Sequence, residues 1–167
     1  MSSLSALQVL LVDDNQHMRT IASAVLKSAG VGTVREAADG GAALELLREY
    51  AVDLAIVDFN MFPLDGVEFT RLVRNSPDSP NPYLPIIMMT GHSARSRVFE
   101  ARDAGVTEFL VKPITAKAVL DRIQAVIFQP RPFVRTDGYF GPDRRRLQKG
   151  DYKGPRRRAA DKATAET

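Results

Sequence analysis

The chain of 167 residues has no cysteine, and its two histidines are His17 and His92. The lack of cysteine excludes disulfides, thiolate metal sites and cysteine nucleophiles, and it fits a reducing compartment. Two histidines are too few for a His-rich metal site. No apolar run approaches the roughly 20 residues that span a bilayer. No signal-type apolar run follows Met1 either, so we expect a cytoplasmic protein without membrane insertion.

Charge is divided unevenly along the chain. Apolar residues make up 44% and charged residues 26%, which is close to a soluble globular average and sufficient for a sizeable core. The net charge of +3 conceals two parts. Residues 1–128 hold 12 basic and 15 acidic side chains, whereas residues 129–167 hold 11 basic and 5 acidic ones. This asymmetry indicates a basic C-terminal tail that binds anions.

Short apolar runs alternate with helical patterns in the first three quarters of the chain. Helical spacing is found at 18–29, 42–50, 67–74, 93–104 and 115–127, and the runs typical of buried strands are 7–12, 33–36, 54–57, 84–89 and 107–111. Thr115 and Ser93 are candidate helix caps. The alternation predicts an α/β domain over residues 5–128, a parallel sheet covered by helices on both sides.

The composition changes abruptly at Gln129-Pro130. Residues 129–167 contain few large apolar side chains and many charged ones, so this segment cannot build a core of its own. We expect residues 129–167 to form a tail that is disordered unless a ligand is bound.

Polar side chains stand where the predicted strands end. Carboxylates follow the first and third strands, a hydroxyl ends the fourth and an ammonium ends the fifth: Asp13, Asp14, Asp58, Thr90 and Lys112. The carboxyl ends of parallel strands meet in one crevice. Carboxylates without histidine or cysteine suit Mg²⁺, and a lysine with a hydroxyl suits a phosphoryl group. This chemistry supports phosphoryl transfer to a carboxylate.

Residues 5–128 resemble bacterial response-regulator receiver domains and are similar to the chemotaxis regulator. The resemblance is carried by Val12-Asp13-Asp14, Asp58 with Asn60 and Met61, Asp65-Gly66, Thr90-Gly91 and Lys112-Pro113. It implies a doubly wound, flavodoxin-like (βα)5 sheet in the order 2-1-3-4-5. It also implies a signalling protein rather than an enzyme, with a histidine kinase or phosphotransfer protein as partner.

The same resemblance implies a role for each site residue. Asp58 would be the phosphoacceptor and Phe109 the switch aromatic. Thr90 would hydrogen-bond the phosphoryl group, and Lys112 would pair with it. Mg²⁺ would be held by Asp13, Asp14, Asp58 and the backbone carbonyl of Asn60.

Two positions depart from the pattern of this family. Phe62 stands where the family usually has proline, and Pro63 follows it. We therefore expect a differently shaped loop with an extra aromatic near the mouth of the site. Phe109 replaces the usual tyrosine, and it has no hydroxyl to anchor either of its orientations.

The tail contains an internal repeat. The eight residues 139–146, Tyr-Phe-Gly-Pro-Asp-Arg-Arg-Arg, recur at 152–159 as Tyr-Lys-Gly-Pro-Arg-Arg-Arg-Ala, with five positions identical. Arginine stacks on bases and forms bidentate hydrogen bonds with phosphate or guanine, and the ring of tyrosine stacks on bases. Aspartate accepts from a guanine edge, and Gly-Pro suits a sharp turn. The pattern favours a ligand with guanines, phosphates and approximate two-fold symmetry, as in cyclic di-GMP.

The whole chain is similar to receiver-type cyclic di-GMP effectors with an arginine-rich C-terminal segment. This resemblance implies a diffusible effector that is recruited to the flagellar motor or a related target. The predicted nucleotide-binding residues are Arg131, Arg135, Tyr139, Asp143, Arg144, Arg145, Arg146, Tyr152, Arg156, Arg157, Arg158 and Asp161. Ordering such a segment on binding would make it an order–disorder switch.

Other interpretations of the tail stay open. One is a receiver driven by phosphorylation of Asp58, with a nonspecific basic tail that binds nucleic acid through backbone phosphates. Another is a solvated or membrane-surface tail, against which the lack of an amphipathic helix counts. A metabolic enzyme that uses the carboxylates with Mg²⁺ is a third. Specific DNA recognition is not expected, because no folded DNA-binding domain fits in the tail.

Overall fold

The computed structural model describes residues 4–91 and 95–144. The strands of its main sheet are β1 (Gln8–Val12), β2 (Thr33–Ala37), β3 (Leu54–Asp58), β4 (Ile86–Thr90) and β5 (Glu108–Val111). The helices are α1 (Gln16–Ser28), α2 (Gly40–Glu49), α3 (Gly66–Asn75), α4 (Arg95–Ala104) and α5 (Ala116–Phe128). The sheet is parallel with the order β2-β1-β3-β4-β5, which confirms the predicted topology.

Each face of the sheet carries its own apolar layer. Leu10 and Val12 of β1 belong to the layer under α2, α3 and α4, whereas Val9 and Leu11 belong to the layer under α1 and α5. All four are fully buried. This double burial explains why the strands are continuous apolar runs instead of alternating ones. Within the described ranges, no helix is long and apolar enough to cross a membrane.

Local side-chain bonds fix where several helices begin. Asn15, Asp39 and Thr115 each accept a backbone N–H from the first turn of α1, α2 and α5, so the predicted Thr115 cap is confirmed. Asp65 forms a capping box with Glu68 at the start of α3. The predicted Ser93 cap lies outside the described residues. These caps place the loops that carry the functional side chains at one end of the sheet.

The expectation of a structureless tail is wrong for its first part. Strands β6 (Phe133–Thr136) and β7 (Tyr139–Pro142) pair antiparallel and form a C-terminal hairpin. Asp137 and Gly138 make the turn, where Gly138 has a φ of 84°, a value that suits glycine. The reasoning from composition counted only the apolar residues of the tail, whereas the hairpin packs on a surface supplied by the receiver-like part.

Aromatic rings hold the C-terminal hairpin to that surface. Phe133 and Phe140 lie 5.0 and 5.3 Å from the ring of Tyr83, between centroids, and 5.4 Å from each other. Phe140 is only 6% exposed. These separations are typical of favourable aromatic pairs. The hairpin therefore obtains from the loop before β4 the apolar contacts that a two-stranded ribbon lacks.

Arg74 lies beneath the hairpin at the end of α3. Its guanidinium donates to the carbonyls of Gly105 and Pro82 at 3.0 Å each and lies 3.4 Å from the Thr107 hydroxyl. The ring of Phe133 covers it at 5.0 Å. Burial lowers the pKa of Arg74 to about 10. The described contacts of Arg74 thus join α3, the loop after α4 and the hairpin.

Two ion pairs complete the attachment of the hairpin. Arg131 lies 2.7 Å from Glu108 at the start of β5, and Arg144 lies 2.6 Å from Asp103 of α4. At Gly141, an added Cβ would lie 3.0 Å from the Cα of Gly105, so the strand and the loop after α4 are in close contact. Glu108 and Gly105 lie at the amino end of β5. The hairpin therefore occupies the end of the sheet opposite to the carboxyl ends of the strands.

Candidate functional site

Three carboxylates meet at the carboxyl end of the sheet. Asp13 and Asp14 follow β1 and Asp58 ends β3, and one oxygen of each lies within 4.8 Å of the others. Asp13 and Asp58 are buried, whereas Asp14 is exposed. These side chains therefore lie close together, as predicted, because β1 and β3 are neighbouring strands of the sheet.

Lysine and threonine complete the same crevice. The ammonium of Lys112 forms an ion pair with the carboxylate of Asp58. The Lys112 amide donates to the Thr90 carbonyl at 2.8 Å, which brings the ends of β4 and β5 together. Thr90 is 3% exposed. The peptide bond between Lys112 and Pro113 is cis. This arrangement places a positive charge against the buried Asp58 carboxylate, and the buried Thr90 at the end of the strand beside β3.

The electrostatics of the site favour a cation and oppose a bare carboxylate. Burial raises the pKa of Asp58, and the like charges of Asp13 and Asp14 raise it further, whereas Lys112 lowers it. Carboxylate oxygens are the ligands that Mg²⁺ prefers, and a divalent cation would neutralise this crowding of negative charge. The donor set therefore fits Mg²⁺.

The loop after β3 forms the mouth of the site. Phe62 is 81% exposed, and its backbone N–H donates to the Asp14 carboxylate at 3.2 Å. The Phe62-Pro63 bond is cis. The expected extra aromatic is thus present at the mouth and projects into solvent. Asn60, the predicted carbonyl ligand, is exposed in the same loop.

Phe109 lies on β5 beside Met88 of β4. Its ring is partly buried against the apolar layer under α2, α3 and α4. Its carbonyl accepts from the Arg122 guanidinium of α5 at 2.7 Å. The structure thus places the predicted switch aromatic on β5, the strand that Lys112 follows.

An apolar cavity of about 170 Å³ opens beside the acidic cluster. Met18, Ile21 and Ala22 of α1 line one side of it. Pro113 and Ile114 line another, next to Asp13 and Lys112. The buried carboxylate of Asp13 thus borders an apolar recess that is large enough for a side chain.

Comparison with known proteins agrees with this geometry. The sequence matches the family described as response regulator receiver domain over residues 9–124. The chain belongs to this family. Receiver domains are signalling proteins, and a receiver domain implies a histidine kinase or phosphotransfer protein as partner.

Several of the matched relatives are chemotaxis proteins. Chemotaxis protein CheY of Pseudomonas aeruginosa is 34% identical over 120 residues, which are 72% of this chain and 95% of that protein. Chemotaxis protein CheY-3 of Vibrio cholerae is 32% identical and covers 72% of this chain and 91% of its own length. The solved structure of V. cholerae chemotaxis protein CheY4 has 35% identity and a TM-score of 0.65, with 72% of this chain and 98% of that chain covered.

The family match ends before the C-terminal hairpin, which contains several predicted nucleotide-binding residues. Tyr139 is 8% exposed, and its hydroxyl donates to the Pro142 carbonyl at 2.7 Å. The Arg144 guanidinium lies 4.2 Å from the centre of the Tyr139 ring and pairs with Asp103. Arg135 covers Phe140 at 4.1 Å. The first copy of the repeat thus contacts the receiver and itself in this structure.

The remaining predicted tail residues divide into two groups. Arg131 pairs with Glu108, and the buried Asp143 donates its backbone N–H to the Pro132 carbonyl at 2.8 Å. The others lie outside the described residues: Arg145, Arg146, Tyr152, Arg156, Arg157, Arg158 and Asp161.

The sequence did not predict which receiver residues contact the hairpin, nor that Arg97 lies at the mouth of the site. The turn Asp137-Gly138 between apolar pairs was a usable hairpin signal. No local pattern marks Arg74 as the buried contact beneath it. Arg97 of α4, whose guanidinium lies 3.9 Å from Asp65, was also missed, because only the packing of α4 brings it to the loop after β3.

Proposed function

We propose that this receiver signals by accepting a phosphoryl group on Asp58. The observation that supports this assignment is the buried Asp58 carboxylate, paired with Lys112 and flanked by Asp13 and Asp14. A carboxylate oxygen of Asp58 would form a bond to phosphorus while the bond from phosphorus to the donor's imidazole nitrogen breaks. The imidazole leaves with that electron pair and takes up a proton, and Asp58 becomes an acyl phosphate.

Each neighbour has a defined part in this transfer. Lys112 exchanges its pairing with the Asp58 carboxylate for the incoming phosphoryl oxygens. The Thr90 hydroxyl donates to a phosphoryl oxygen. Asp13, Asp14, Asp58 and the Asn60 backbone carbonyl would hold Mg²⁺, which supplies positive charge against the phosphoryl oxygens.

A small-molecule phosphodonor tests this proposal without a kinase. Incubation with phosphoramidate and Mg²⁺ should add one phosphoryl group, detected by intact mass and by its lability to hydroxylamine. Asp58→Asn should abolish the adduct, and Asp78→Asn, which changes an exposed carboxyl after α3, is the matched control. A wild-type chain that stays unmodified, or an adduct that persists in Asp58→Asn, would contradict the assignment.

The names of the relatives suggest the pathway. Because proteins named for chemotaxis share a third of their residues with this chain, we propose that it acts in motility signalling, receives its phosphoryl group from a histidine kinase or phosphotransfer protein and contacts the flagellar motor or a related target. We expect it to act in the cytoplasm and at the flagellar base. A pull-down with purified motor switch proteins, with and without phosphoramidate, measures whether phosphorylation increases binding.

A second candidate function concerns the tail. We propose that the arginine-rich repeat binds cyclic di-GMP, with the second copy at residues 152–159 and Asp161 as the primary determinant. The repeat of tyrosine, Gly-Pro and arginines supports this, as does the contact of the Arg144 guanidinium with the Tyr139 ring in the first copy. Because Tyr139 is buried and Arg144 pairs with Asp103 of α4, nucleotide binding by the first copy would require the hairpin to leave α4.

Calorimetry on the full chain distinguishes the candidates for the tail. Cyclic di-GMP, GTP and single-stranded DNA are titrated into the wild type, into Arg157→Ala with Arg158→Ala, and into Arg144→Ala with Arg145→Ala. Guanine-selective binding that disappears in the first double variant supports the proposal. Equal binding to DNA with steep salt dependence indicates the nonspecific nucleic-acid tail instead. Arg48→Ala with Arg71→Ala removes two exposed arginines of α2 and α3 as the control.

A further inference from the structure

One guanidinium from α4 contacts three residues of the loop after β3. The guanidinium of Arg97 lies over the buried ring of Phe59, 4.2 Å from its centre. One of its nitrogens lies 3.5 Å from the side-chain oxygen of Asn60, and another lies 3.9 Å from the carboxylate of Asp65. Phe59 follows Asp58 directly, and Asp65 caps α3. Arg97 therefore contacts both ends of the loop that forms the mouth of the site.

Within this loop Phe59 is held in place by other contacts, whereas Asn60 depends on its contact with Arg97. Phe59 is fixed by its burial and by its N–H bond to the Met89 carbonyl, 3.0 Å. Asn60 is exposed and lies two residues beyond Asp58, in the loop whose Phe62 N–H bonds the Asp14 carboxylate. In the part of the chain that the structure describes, the contacts of the Arg97 guanidinium are with this loop and with Glu100, 3.5 Å away. Any effect of Arg97 on the site around Asp58 would therefore be exerted by way of Asn60.

We propose that Arg97 is a positioning residue that prolongs the life of the aspartyl phosphate by holding Asn60 over the mouth of the site. The proposal rests on phosphorylation of Asp58. In hydrolysis, a water oxygen forms a bond to phosphorus while the bond from phosphorus to the Asp58 oxygen breaks. The Asp58 carboxylate leaves with the electron pair, and a water proton passes to solvent. Asn60, held by Arg97, restricts the path of that water.

The charge of Arg97 strengthens this role after phosphorylation. A phosphoryl group adds about 1.5 to 2 negative charges beside a loop that already touches the guanidinium. The acidic neighbours of Arg97, Asp65 and Glu100, are 3.9 and 3.5 Å away, longer than an ideal charge-assisted hydrogen bond. The guanidinium is about half exposed (45%), so it can tighten its contact with Asn60 without breaking a buried pair.

The lifetime of the phosphorylated protein tests the proposal. The full chain is phosphorylated with phosphoramidate and Mg²⁺, the donor is removed, and loss of the acyl phosphate is followed by intact mass. In Arg97→Ala the acyl phosphate should hydrolyse about fivefold faster, the rate equivalent of roughly one ordinary side-chain hydrogen bond. Arg97→Lys should resemble Arg97→Ala, because an ammonium lacks the planar fork that reaches both Asn60 and Asp65.

A double-mutant cycle separates positioning from general destabilisation. In an Asn60→Ala background, which keeps the backbone carbonyl, Arg97→Ala should have little further effect. Glu100→Ala is the control, and its lifetime should stay within about twofold of the wild type, as for an exposed i,i+3 pair. A wild-type rate in Arg97→Ala, or an undiminished effect in the Asn60→Ala background, would overturn the inference. A wild-type chain that takes no phosphoryl group would instead refute the proposed function.

Discussion

Replacing Phe140 by alanine should release the C-terminal hairpin while leaving the five-stranded sheet folded. The ring of Phe140 is 6% exposed and contacts Tyr83 of the receiver and Phe133 of the opposite strand, with centroids 5.3 and 5.4 Å away. The guanidinium of Arg135 covers it at 4.1 Å. Phe140 therefore joins the two strands of the hairpin to each other and to the receiver.

The size of the effect follows from these contacts. Removing a buried phenylalanine costs about 3–5 kcal/mol in a protein core. The lower value applies here, because the side chain of Arg135 is able to collapse into part of the space. We expect a loss of about 3 kcal/mol from the docking of the hairpin, which is more than a two-stranded ribbon supplies by itself. The receiver has its own two apolar layers and does not depend on this ring.

Native-state hydrogen exchange measures this loss residue by residue. In Phe140→Ala, protection of the amides in β6 and β7 should fall by roughly 100-fold, the equivalent of about 3 kcal/mol. Protection in β1, β3 and β4 should be unchanged. Phe99→Ala makes the same chemical change on α4 at a ring that is 62% exposed, and it should leave the hairpin protected.

Two results would refute this reasoning. Unchanged protection of the hairpin in Phe140→Ala would mean that the ion pairs of Arg131 and Arg144 hold it without the aromatic contacts. An equal loss across the whole sheet would mean that the hairpin and receiver unfold as one unit. Either result would remove the basis for treating the hairpin as a separately releasable element.

Three further predictions concern other parts of the molecule. Arg74→Ala should cost about 3 kcal/mol in urea unfolding, because it removes the donor to the carbonyls of Gly105 and Pro82; a loss under 1 kcal/mol would show that water replaces the guanidinium. Arg131→Ala should weaken hairpin protection by about tenfold, and Glu108→Arg with Arg131→Glu should restore part of it if the ion pair is responsible. Without Mg²⁺, Asp58→Asn should raise the thermal midpoint at neutral pH, because the raised pKa of Asp58 makes its ionisation cost stability as pH rises through that pKa. This rise in the thermal midpoint should disappear as the pH falls and Asp58 becomes protonated. A lower midpoint for Asp58→Asn at neutral pH would mean that losing the ion pair with Lys112 costs more stability than removing the buried charge restores.

The acidic site was predictable because its residues occupy equivalent places in successive βα units. Asp13, Asp58 and Lys112 each follow a buried apolar run, and parallel pairing brings the ends of those runs together whatever the loops do. The order of the strands followed from the resemblance to receivers. The ion pair between Asp58 and Lys112 is a direct consequence of that order.

The hairpin was not predicted, because its stability comes from residues distant in the sequence. Phe133 and Phe140 gain their partner from Tyr83, and the arginines of the tail find acids on α4 and β5. A composition argument treats the tail as an isolated segment, for which burial cannot offset the entropy of ordering. The chain before residue 129 supplies the missing surface.

The sequence by itself determined the parallel sheet, the Thr115 cap and the residues of the acidic cluster, because each depends on local pattern or on a general rule for strand ends. The tertiary structure alone decided that the first copy of the repeat contacts α4, and that Arg97 reaches Asn60. Both depend on how α4 lies against its neighbours. Whether a side chain contacts solvent, a nucleotide or a neighbouring helix depends on how segments far apart in the chain pack together.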